Sequence, residues 1–176
     1  MENARDVFLA GATGYLGCAL ASRLAGRGHR VRALVREESR GRVPEGCEAV
    51  IGNALDAATF AAYVRRGDTF VQLVGVPHPN PSKAAQFRSI DLAAALAGIA
   101  ATILRPWYVL GPGHRWPMAI LPLYWVFERI PATRETALRL GLVSLEQMVA
   151  ALAGAVENPR DGVRVLDVPQ IRAAAR

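Results

Sequence analysis

Residues 6–17 read DVFLAGATGYLG, and this stretch indicates the fold. Val7 to Leu9 form a short apolar run, as expected of a strand buried inside a parallel sheet. Gly11, Gly14 and Gly17 follow at three-residue spacing. In such a loop the first glycine permits a sharp turn, the second lets backbone N–H groups approach a pyrophosphate, and the third lets helix and strand pack closely. Because a strand precedes the loop and an amphipathic helix follows it, we predict a pyrophosphate-binding loop rather than a glycine turn without a ligand.

The helix is predicted from Tyr15 to Arg27, and a second strand from Val31 to Arg36. Leucines at positions 16, 20 and 24 form one apolar stripe that would face the sheet. Gly28 is well placed to end the helix in a left-handed conformation. His29 then lies at the end of the sheet remote from the glycine loop, so we expect it to be structural or solvent-facing.

Arg36 lies 19 residues after Gly17, at the carboxyl end of the second strand. A carboxylate at this place would bind the adenosine ribose of NAD, whereas an arginine would meet the 2′-phosphate of NADP. The guanidinium is a bidentate fork that matches phosphate, and Arg40 could assist it. Glu37 and Glu38 could also reach the ribose. The sequence favours NADP(H) over NAD(H).

Further strands are predicted at Glu48 to Gly52 and Asp68 to Gly75, with a short helix between them from Ala57 to Arg66. Phe60, Ala61 and Val64 are expected to face inward from that helix. Strands that alternate with helices in this way indicate βαβ units and a parallel sheet. The predicted fold class is therefore α/β, a doubly wound, mostly parallel sheet in three layers.

The second half of the chain is less regular. The predicted elements are a helix at 82–97, a strand running into a loop at 100–110, a helix opened by the capping box Ser144–Gln147 and stopped at Asn158, and a short strand at 162–168. The arginine- and alanine-rich tail beyond is expected to be frayed. Residues 114–131 are apolar and proline-rich, and we interpret them as a lid over the cofactor rather than an exposed patch.

Composition narrows the class of protein. The 176 residues suffice for a single domain spanning 1–176, in which 110–176 would form a small lid or substrate-side portion. The net charge is +6, but the basic residues are scattered, which argues against nucleic-acid binding. Cys18 and Cys47 provide neither a disulfide framework nor a zinc site, and Cys18 is expected to be a small buried residue. No signal peptide is apparent, and the best candidate for a membrane span, 117–127, is too short to cross a membrane, so a cytoplasmic protein is expected.

Several motifs together resemble the extended and atypical short-chain dehydrogenase/reductases, near the branch with NmrA-like and complex I accessory-subunit-like members. They are GATGYLG at 11–17, VRALVR ending at 36, GNALD at 52–56, VQLVG at 71–75, ILRPWYVLGPG at 103–113 and SLEQMVAALAGAVENP from 144. The resemblance covers nearly the whole chain. It implies a Rossmann-like fold and a nicotinamide dinucleotide cofactor.

The resemblance also implies which residues bind that cofactor. The loop residues Gly11, Ala12, Thr13, Gly14, Tyr15, Leu16 and Gly17 would bind the pyrophosphate, and Arg36 the 2′-phosphate. Asn53 and Ala54 would border the adenine, although the family usually has aspartate where Asn53 stands. Leu73, Val74 and Gly75 would line the ribose and pyrophosphate, and Arg105 would lie near the nicotinamide.

Two departures from the family bear on catalysis. The family's catalytic pair is a tyrosine with a lysine four residues later, but Lys83 is the only lysine here and Pro79 stands four residues before it. In addition, the helix at 82–97 leads directly to the arginine-proline strand, so one βα unit is missing. We expect the strand at 101–109 to close a smaller sheet beside the fourth strand, rather than leave exposed edges that invite dimerisation.

These features favour a non-classical, NAD(P)(H)-binding dehydrogenase/reductase-like protein without Tyr–Lys catalysis, acting as a cofactor-binding or regulatory module. The alternative is an NAD(P)H-dependent oxidoreductase or epimerase/dehydratase acting on a small carbonyl or sugar-nucleotide substrate, with Tyr108, Tyr124 or His78 moving the proton. A third possibility is a scaffold or homo-oligomer that binds partners through residues 107–127. No metal is expected.

Overall fold

The computed structural model describes residues 4–54, 56–73, 101–106, 108–112, 129 and 141–175. The chain divides into two compact units, Met1–Ala84 and Ala85–Arg176. The single domain predicted for residues 1–176 stays a prediction. The predicted helix at 82–97 and most of the predicted lid at 114–131 lie outside the described residues.

The described residues of the first unit form a four-stranded parallel sheet in the order β3-β2-β1-β4. Its strands are β1 (Asp6–Ala10), β2 (Arg30–Val35), β3 (Cys47–Ile51) and β4 (Thr69–Gln72), and helix α1 (Tyr15–Gly26) connects β1 to β2. The order runs outward from β1 to β3 on one side and places β4 on the other side of β1. Ligands of doubly wound sheets bind where the strand order reverses in this way. The prediction of a Rossmann-like, mostly parallel α/β fold is confirmed.

Different parts of the chain pack on the two faces of this sheet. On one face, Phe8, Ala10, Leu34 and Val50 form a buried cluster against which Phe60 packs. Helix α1 lies on the opposite face, where the thiol of Cys47 donates a hydrogen bond to the carbonyl oxygen of Ala21 (3.8 Å). The difference follows from the alternation of side chains along each strand.

The predicted end of α1 is confirmed. Gly28 has φ of +84°, the left-handed conformation that glycine adopts without strain. His29 is buried, and its Nδ1 accepts a hydrogen bond from the Arg5 backbone N–H (3.1 Å). His29 is therefore structural.

Two predictions for the first unit are wrong. The helix expected from Ala57 to Arg66 is instead a pair of short 3₁₀ turns, Ala57–Thr59 and Ala61–Tyr63, and both Ala61 and Val64 are exposed. So short a segment forms a helix only if packing supports it, and Phe60 alone packs inward here. Cys18 is exposed, because the buried stripe of α1 consists of Gly17, Leu20, Ala21 and Leu24.

The described residues of the second unit form two pairs of parallel strands and two helices. In chain order the elements are β5 (Ala101–Arg105), β6 (Tyr108–Leu110), β7 (Leu142–Ser144), α2 (Leu145–Glu157), β8 (Val163–Asp167) and α3 (Val168–Ala173). Strand β5 pairs with β8, and β6 pairs with β7. The stretch predicted as one strand running into a loop is thus two short strands, with Pro106, which lacks an N–H donor, after the first.

The capping box of α2 is confirmed. The Ser144 hydroxyl accepts from the Gln147 N–H (3.1 Å), and the Gln147 side chain accepts from the Ser144 N–H (2.9 Å). The predicted last strand is also present as β8. The tail was predicted to be frayed, and this is wrong for the residues that form α3. Ile171 is buried there, and the Arg172 guanidinium donates a hydrogen bond to the carbonyl oxygen of Leu142 (2.9 Å).

Among the described strands, the hydrogen-bonded partner of β5 is β8. The predicted pairing of this strand with the fourth strand is therefore not found in the described residues. Within the same residues, no helix is long and apolar enough to cross a membrane.

Candidate functional site

The glycine loop begins directly after β1 and is held by its own backbone. Gly11 has φ of +89°, a conformation that side-chain-bearing residues rarely adopt. The Gly14 N–H donates to the Gly11 carbonyl oxygen (3.0 Å), and the Cys18 N–H donates to the Gly14 carbonyl oxygen (2.8 Å). The chain therefore turns sharply out of the sheet and enters α1 within four residues.

Gly17 explains how the loop and the helix come so close together. A Cβ atom built on this buried residue would lie 2.0 Å from the Gly11 carbonyl oxygen and 2.7 Å from the Gly11 carbonyl carbon. Ordinary van der Waals contact begins near 3.4 Å. The first turn of α1 thus rests directly on the loop backbone, a position that only glycine can occupy.

The N-terminus of α1 is prepared for an anion. No side chain caps Gly14, and the first turn contains no acidic residue. The first N–H groups of a helix lack partners within the helix, and the helix dipole adds partial positive charge there. Gly14 and Tyr15 are exposed, whereas Ala12 is buried beneath them. Backbone N–H groups at an exposed helix start, beside a loop without bulky side chains, fit a pyrophosphate.

Arg36 is the first residue after β2, one strand away from the glycine loop. Its guanidinium is largely exposed, and its Nε lies 3.2 Å from Oε1 of Glu38. A similar exposed pair joins Nη1 of Arg40 to Oε1 of Glu37, at 3.9 Å. Both predicted cations and both predicted carboxylates of this region therefore lie on one short turn.

Asn53 and Ala54 follow β3 in a loop that Thr59 organises. The Thr59 hydroxyl accepts from the Asn53 N–H (2.9 Å) and donates to the Asp56 carbonyl oxygen (2.7 Å). Gly52 lies beneath the loop, where a Cβ would come within 2.9 Å of Cδ1 of Leu34. Sequence reasoning missed Thr59, although a threonine shortly after Asn and Asp is typical of local side-chain-to-backbone hydrogen bonding.

The remaining predicted site residues are divided between the two units. The Leu73 N–H donates to the Ala10 carbonyl oxygen (2.9 Å), so Leu73 lies beside the start of the glycine loop. Val74 and Gly75 lie outside the described residues. Arg105 is exposed at the end of β5 in the second unit. The alternative proton carriers His78 and Tyr124 also lie outside the described residues, and Tyr108 is half-buried in β6.

Sequence reasoning also missed a buried ion pair in the first unit. The Arg32 guanidinium lies 2.5 Å from the Asp68 carboxylate, and both side chains are at most 6% exposed. Arg32 belongs to β2 and Asp68 directly precedes β4, so the arginine reaches across β1, with its guanidinium carbon 5.6 Å from the Phe8 ring centroid. The pair connects β2 to the start of β4, across the strand β1 that lies between them. An arginine within an apolar strand gives no sequence signal that distinguishes this role from an exposed position.

The ionisable groups of the described residues offer little other chemistry. Burial, with a smaller contribution from Cys18, raises the pKa of the Cys47 thiol, which makes it a poor nucleophile at neutral pH. The part of the chain that the structure describes holds no group of three or more metal-ligating side chains. The arrangement at the carboxyl edge of β1–β4 is suited to binding an anion-rich ligand.

Comparison with protein families agrees with this geometry. Residues 11–107, more than half of the chain, match a family described as NAD(P)H-binding. A segment of 50 residues, 28% of this chain, is 50% identical to the 3-diazoavenalumate denitrifying reductase of a Streptomyces species. That match spans 16% of the reductase's own length.

Solved structures share the fold. A provisionally named epimerase from Burkholderia cenocepacia is 17% identical, with a TM-score of 0.65 over 98% of this chain and 80% of its own. YwfH, an NADPH-dependent reductase involved in bacilysin biosynthesis, is 14% identical, with a TM-score of 0.50 over 96% of this chain and 98% of its own. At these identities the likeness concerns the fold alone.

Proposed function

Because this chain belongs to the NAD(P)H-binding family, we propose that it binds NADP(H) in preference to NAD(H) at the carboxyl edge of β1–β4. One arrangement carries the proposal. The uncapped start of α1 lies at the end of β1, and the exposed guanidinium of Arg36 lies at the end of the neighbouring strand. These are the places that a pyrophosphate and an adenosine 2′-phosphate occupy in a doubly wound fold.

Different residues would bind different parts of the cofactor. The loop residues Gly11–Gly17 would bind the pyrophosphate through backbone N–H groups, and Arg36, with Arg40 beside it, would bind the 2′-phosphate. Asn53 and Ala54 would border the adenine, on the loop held by Thr59. The proposed lining is completed by Leu73, Val74 and Gly75 at the ribose and pyrophosphate and by Arg105 near the nicotinamide. When bound, the nicotinamide supplies hydride transfer.

We further propose a module without classical acid–base catalysis. The chain's only lysine, Lys83, has Pro79 four residues before it, so the tyrosine–lysine pair that relays a proton in the resembled family is absent. A protein that binds the cofactor without moving that proton would serve as a cofactor-binding or regulatory module.

A second candidate is an active NADP-dependent oxidoreductase or epimerase. The stretch that is 50% identical to a reductase favours it. Under this proposal Tyr108 is the described residue that could move a proton, and Tyr108→Phe would abolish NADPH oxidation by a panel of small carbonyl compounds. Steady turnover by the wild-type protein would exclude the inactive module. The substrate, and any homo-oligomer or partner bound through residues 107–127, stay predictions.

Thermal unfolding with matched NADPH and NADH tests the proposed binding. A ligand at 100 times its Kd stabilises the folded state by about 2.7 kcal/mol, which corresponds to a shift of roughly 5–10 °C in Tm for a chain of this size. We expect both cofactors to raise Tm, and NADPH to do so more.

Arg36→Gln separates phosphate recognition from the rest of the site. Loss of a charge-assisted hydrogen-bonding partner costs about 1.5–3 kcal/mol, so the variant should lose most of the extra NADPH shift and keep the NADH shift. Arg66→Gln is the matched control, because this exposed arginine lies before β4, at the opposite edge of the sheet. The absence of any shift with the wild-type protein would refute the proposed function, and an equal NADPH advantage in Arg36→Gln would refute the assigned role of Arg36.

A further inference from the structure

The turn after β2 places an anion beside a cation. Residues Glu37–Arg42 form a turn of 3₁₀ helix, and Arg36 is its N-cap. Ser39 is buried within it; its N–H donates to the Arg36 carbonyl oxygen (2.8 Å), and its hydroxyl accepts from Nη2 of Arg42 (2.7 Å). Glu38 lies between this buried residue and Arg36.

The Glu38 carboxylate uses the same recognition chemistry that a phosphate would use. It lies 3.2 Å from Nε of Arg36, on one edge of the guanidinium fork. Carboxylates and phosphates bind this fork alike, through paired N–H donors. A group attached two residues away competes as an intramolecular ligand, whose effective concentration does not depend on the concentration of the protein.

We propose that Glu38 is an internal competitor for the NADP 2′-phosphate, and that it limits the preference of this site for NADP(H) over NAD(H). The inference rests on the proposed function, since it concerns the same Arg36. In the free protein Glu38 occupies the edge of Arg36 that the phosphate needs. A bound 2′-phosphate must displace the carboxylate and also tolerate its charge. NAD(H) has no 2′-phosphate and meets no such competition.

Glu38 fits this role better than Glu37. The Glu37 carboxylate is paired with Arg40 at 3.9 Å, a longer contact to a cation farther along the turn. Arg36 stands directly at the end of β2, where the 2′-phosphate is expected. Glu37→Gln is therefore expected to have a smaller effect than Glu38→Gln.

The expected effect is modest because both groups are exposed. Breaking an exposed ion pair changes affinity by about twofold to fivefold, and removing the screened repulsion of an exposed carboxylate changes it by less than about twofold. Glu38→Gln should therefore bind NADPH about three to ten times more tightly than the wild-type protein and bind NADH within about twofold of it. Glu45→Gln removes the same charge at the amino-terminal edge of the sheet, before β3, and should leave both affinities unchanged.

The experiment is direct titration of the purified full chain with NADPH and NADH, for the wild-type protein, Glu38→Gln, Arg36→Gln and the double variant. If Glu38 competes for Arg36, Glu38→Gln strengthens NADPH binding in the wild-type background and has less than about a twofold effect in the Arg36→Gln background. Unfolding of the free variants should match the wild-type protein, since neither side chain is buried.

Three results would overturn the competition. They are an unchanged NADPH affinity in Glu38→Gln, an equal gain for NADPH and NADH, and a gain of the same size in the Arg36→Gln background. The last result would show direct repulsion by Glu38 rather than occupation of Arg36. Failure of the proposed function is distinguishable from all three, because the wild-type protein would then bind neither cofactor.

Discussion

Gly17→Ala adds a single methyl group at the point where α1 rests on the glycine loop. The new Cβ would lie 2.0 Å from the Gly11 carbonyl oxygen, against ordinary contact from 3.4 Å. The obstacle is backbone, so no side chain can rotate away, and either the loop or the helix must move by more than about 1 Å. Forcing extra atoms into a tightly packed place costs about 1–3 kcal/mol. We expect the free energy of unfolding to fall by at least that amount.

The same movement would displace the N–H groups that we propose bind the pyrophosphate. Misplacing two charge-assisted hydrogen bonds costs about 3 kcal/mol at the low end, which corresponds to a Kd about 100-fold higher. Because the contact is with the pyrophosphate, NADPH and NADH should be affected equally. This distinguishes Gly17→Ala from the variants of Arg36 and Glu38, which should act on NADPH alone.

Gly26→Ala is the matched control in the same helix. A Cβ at Gly26 would meet nothing within 4 Å, and its φ is not positive. Alanine is a better helix former than glycine by about 1 kcal/mol, so this variant should be slightly more stable and bind both cofactors normally. Urea unfolding and cofactor titration of the two variants would be compared. Wild-type stability or wild-type affinity in Gly17→Ala would refute the argument that the loop and the helix are in direct contact.

Two further predictions concern the ionisable groups of the first unit. Asp68→Ala leaves the Arg32 guanidinium buried without its carboxylate, so the free energy of unfolding should fall by about 3–5 kcal/mol. Glu45→Ala, at an exposed position, is the control and should change the free energy of unfolding by less than about 0.5 kcal/mol. Equal urea midpoints for the two variants would contradict the buried pair. The raised pKa of Cys47 leaves less thiolate than an ordinary cysteine has at a given pH, so exposed Cys18 should be alkylated before half-buried Cys47, whose alkylation should accelerate only at higher pH. Peptide mass spectrometry over a range of about pH 7–10, around the ordinary thiol pKa, measures the order of modification. Faster modification of Cys47 than of Cys18 at pH ~7 would contradict its raised pKa.

Several local features could be predicted from the sequence because neighbouring residues alone produce them. The glycine spacing from Gly11 to Gly17 predicted a loop whose two ends approach closely, and the Cβ clash at Gly17 is the physical form of that requirement. The capping box at Ser144 is made by atoms three residues apart, so no distant contact was needed to recognise it. The predicted places of Arg36 and Asn53 follow from the direction of parallel strands, whose carboxyl ends share one edge.

Other features depend on residues far apart in the chain. The short segment from Ala57 to Tyr63 was predicted to be helical, but Phe60 is partly buried while Ala61 is exposed, and packing rather than spacing decides whether so short a helix forms. Arg32 and Asp68 are 36 residues apart, and their buried pair exists because the strand order places β1 between β2 and β4. The contact between Arg36 and Glu38 is local and exposed, on a turn that contains the buried Ser39. The class of fold, the glycine loop and the ligand-binding edge of the sheet could be predicted without the structure, since they depend on short-range backbone geometry and hydrophobic periodicity. Which charges are buried and paired across the sheet, as Arg32 and Asp68 are, depends on tertiary structure, because strand order and packing bring together side chains that are far apart in the chain.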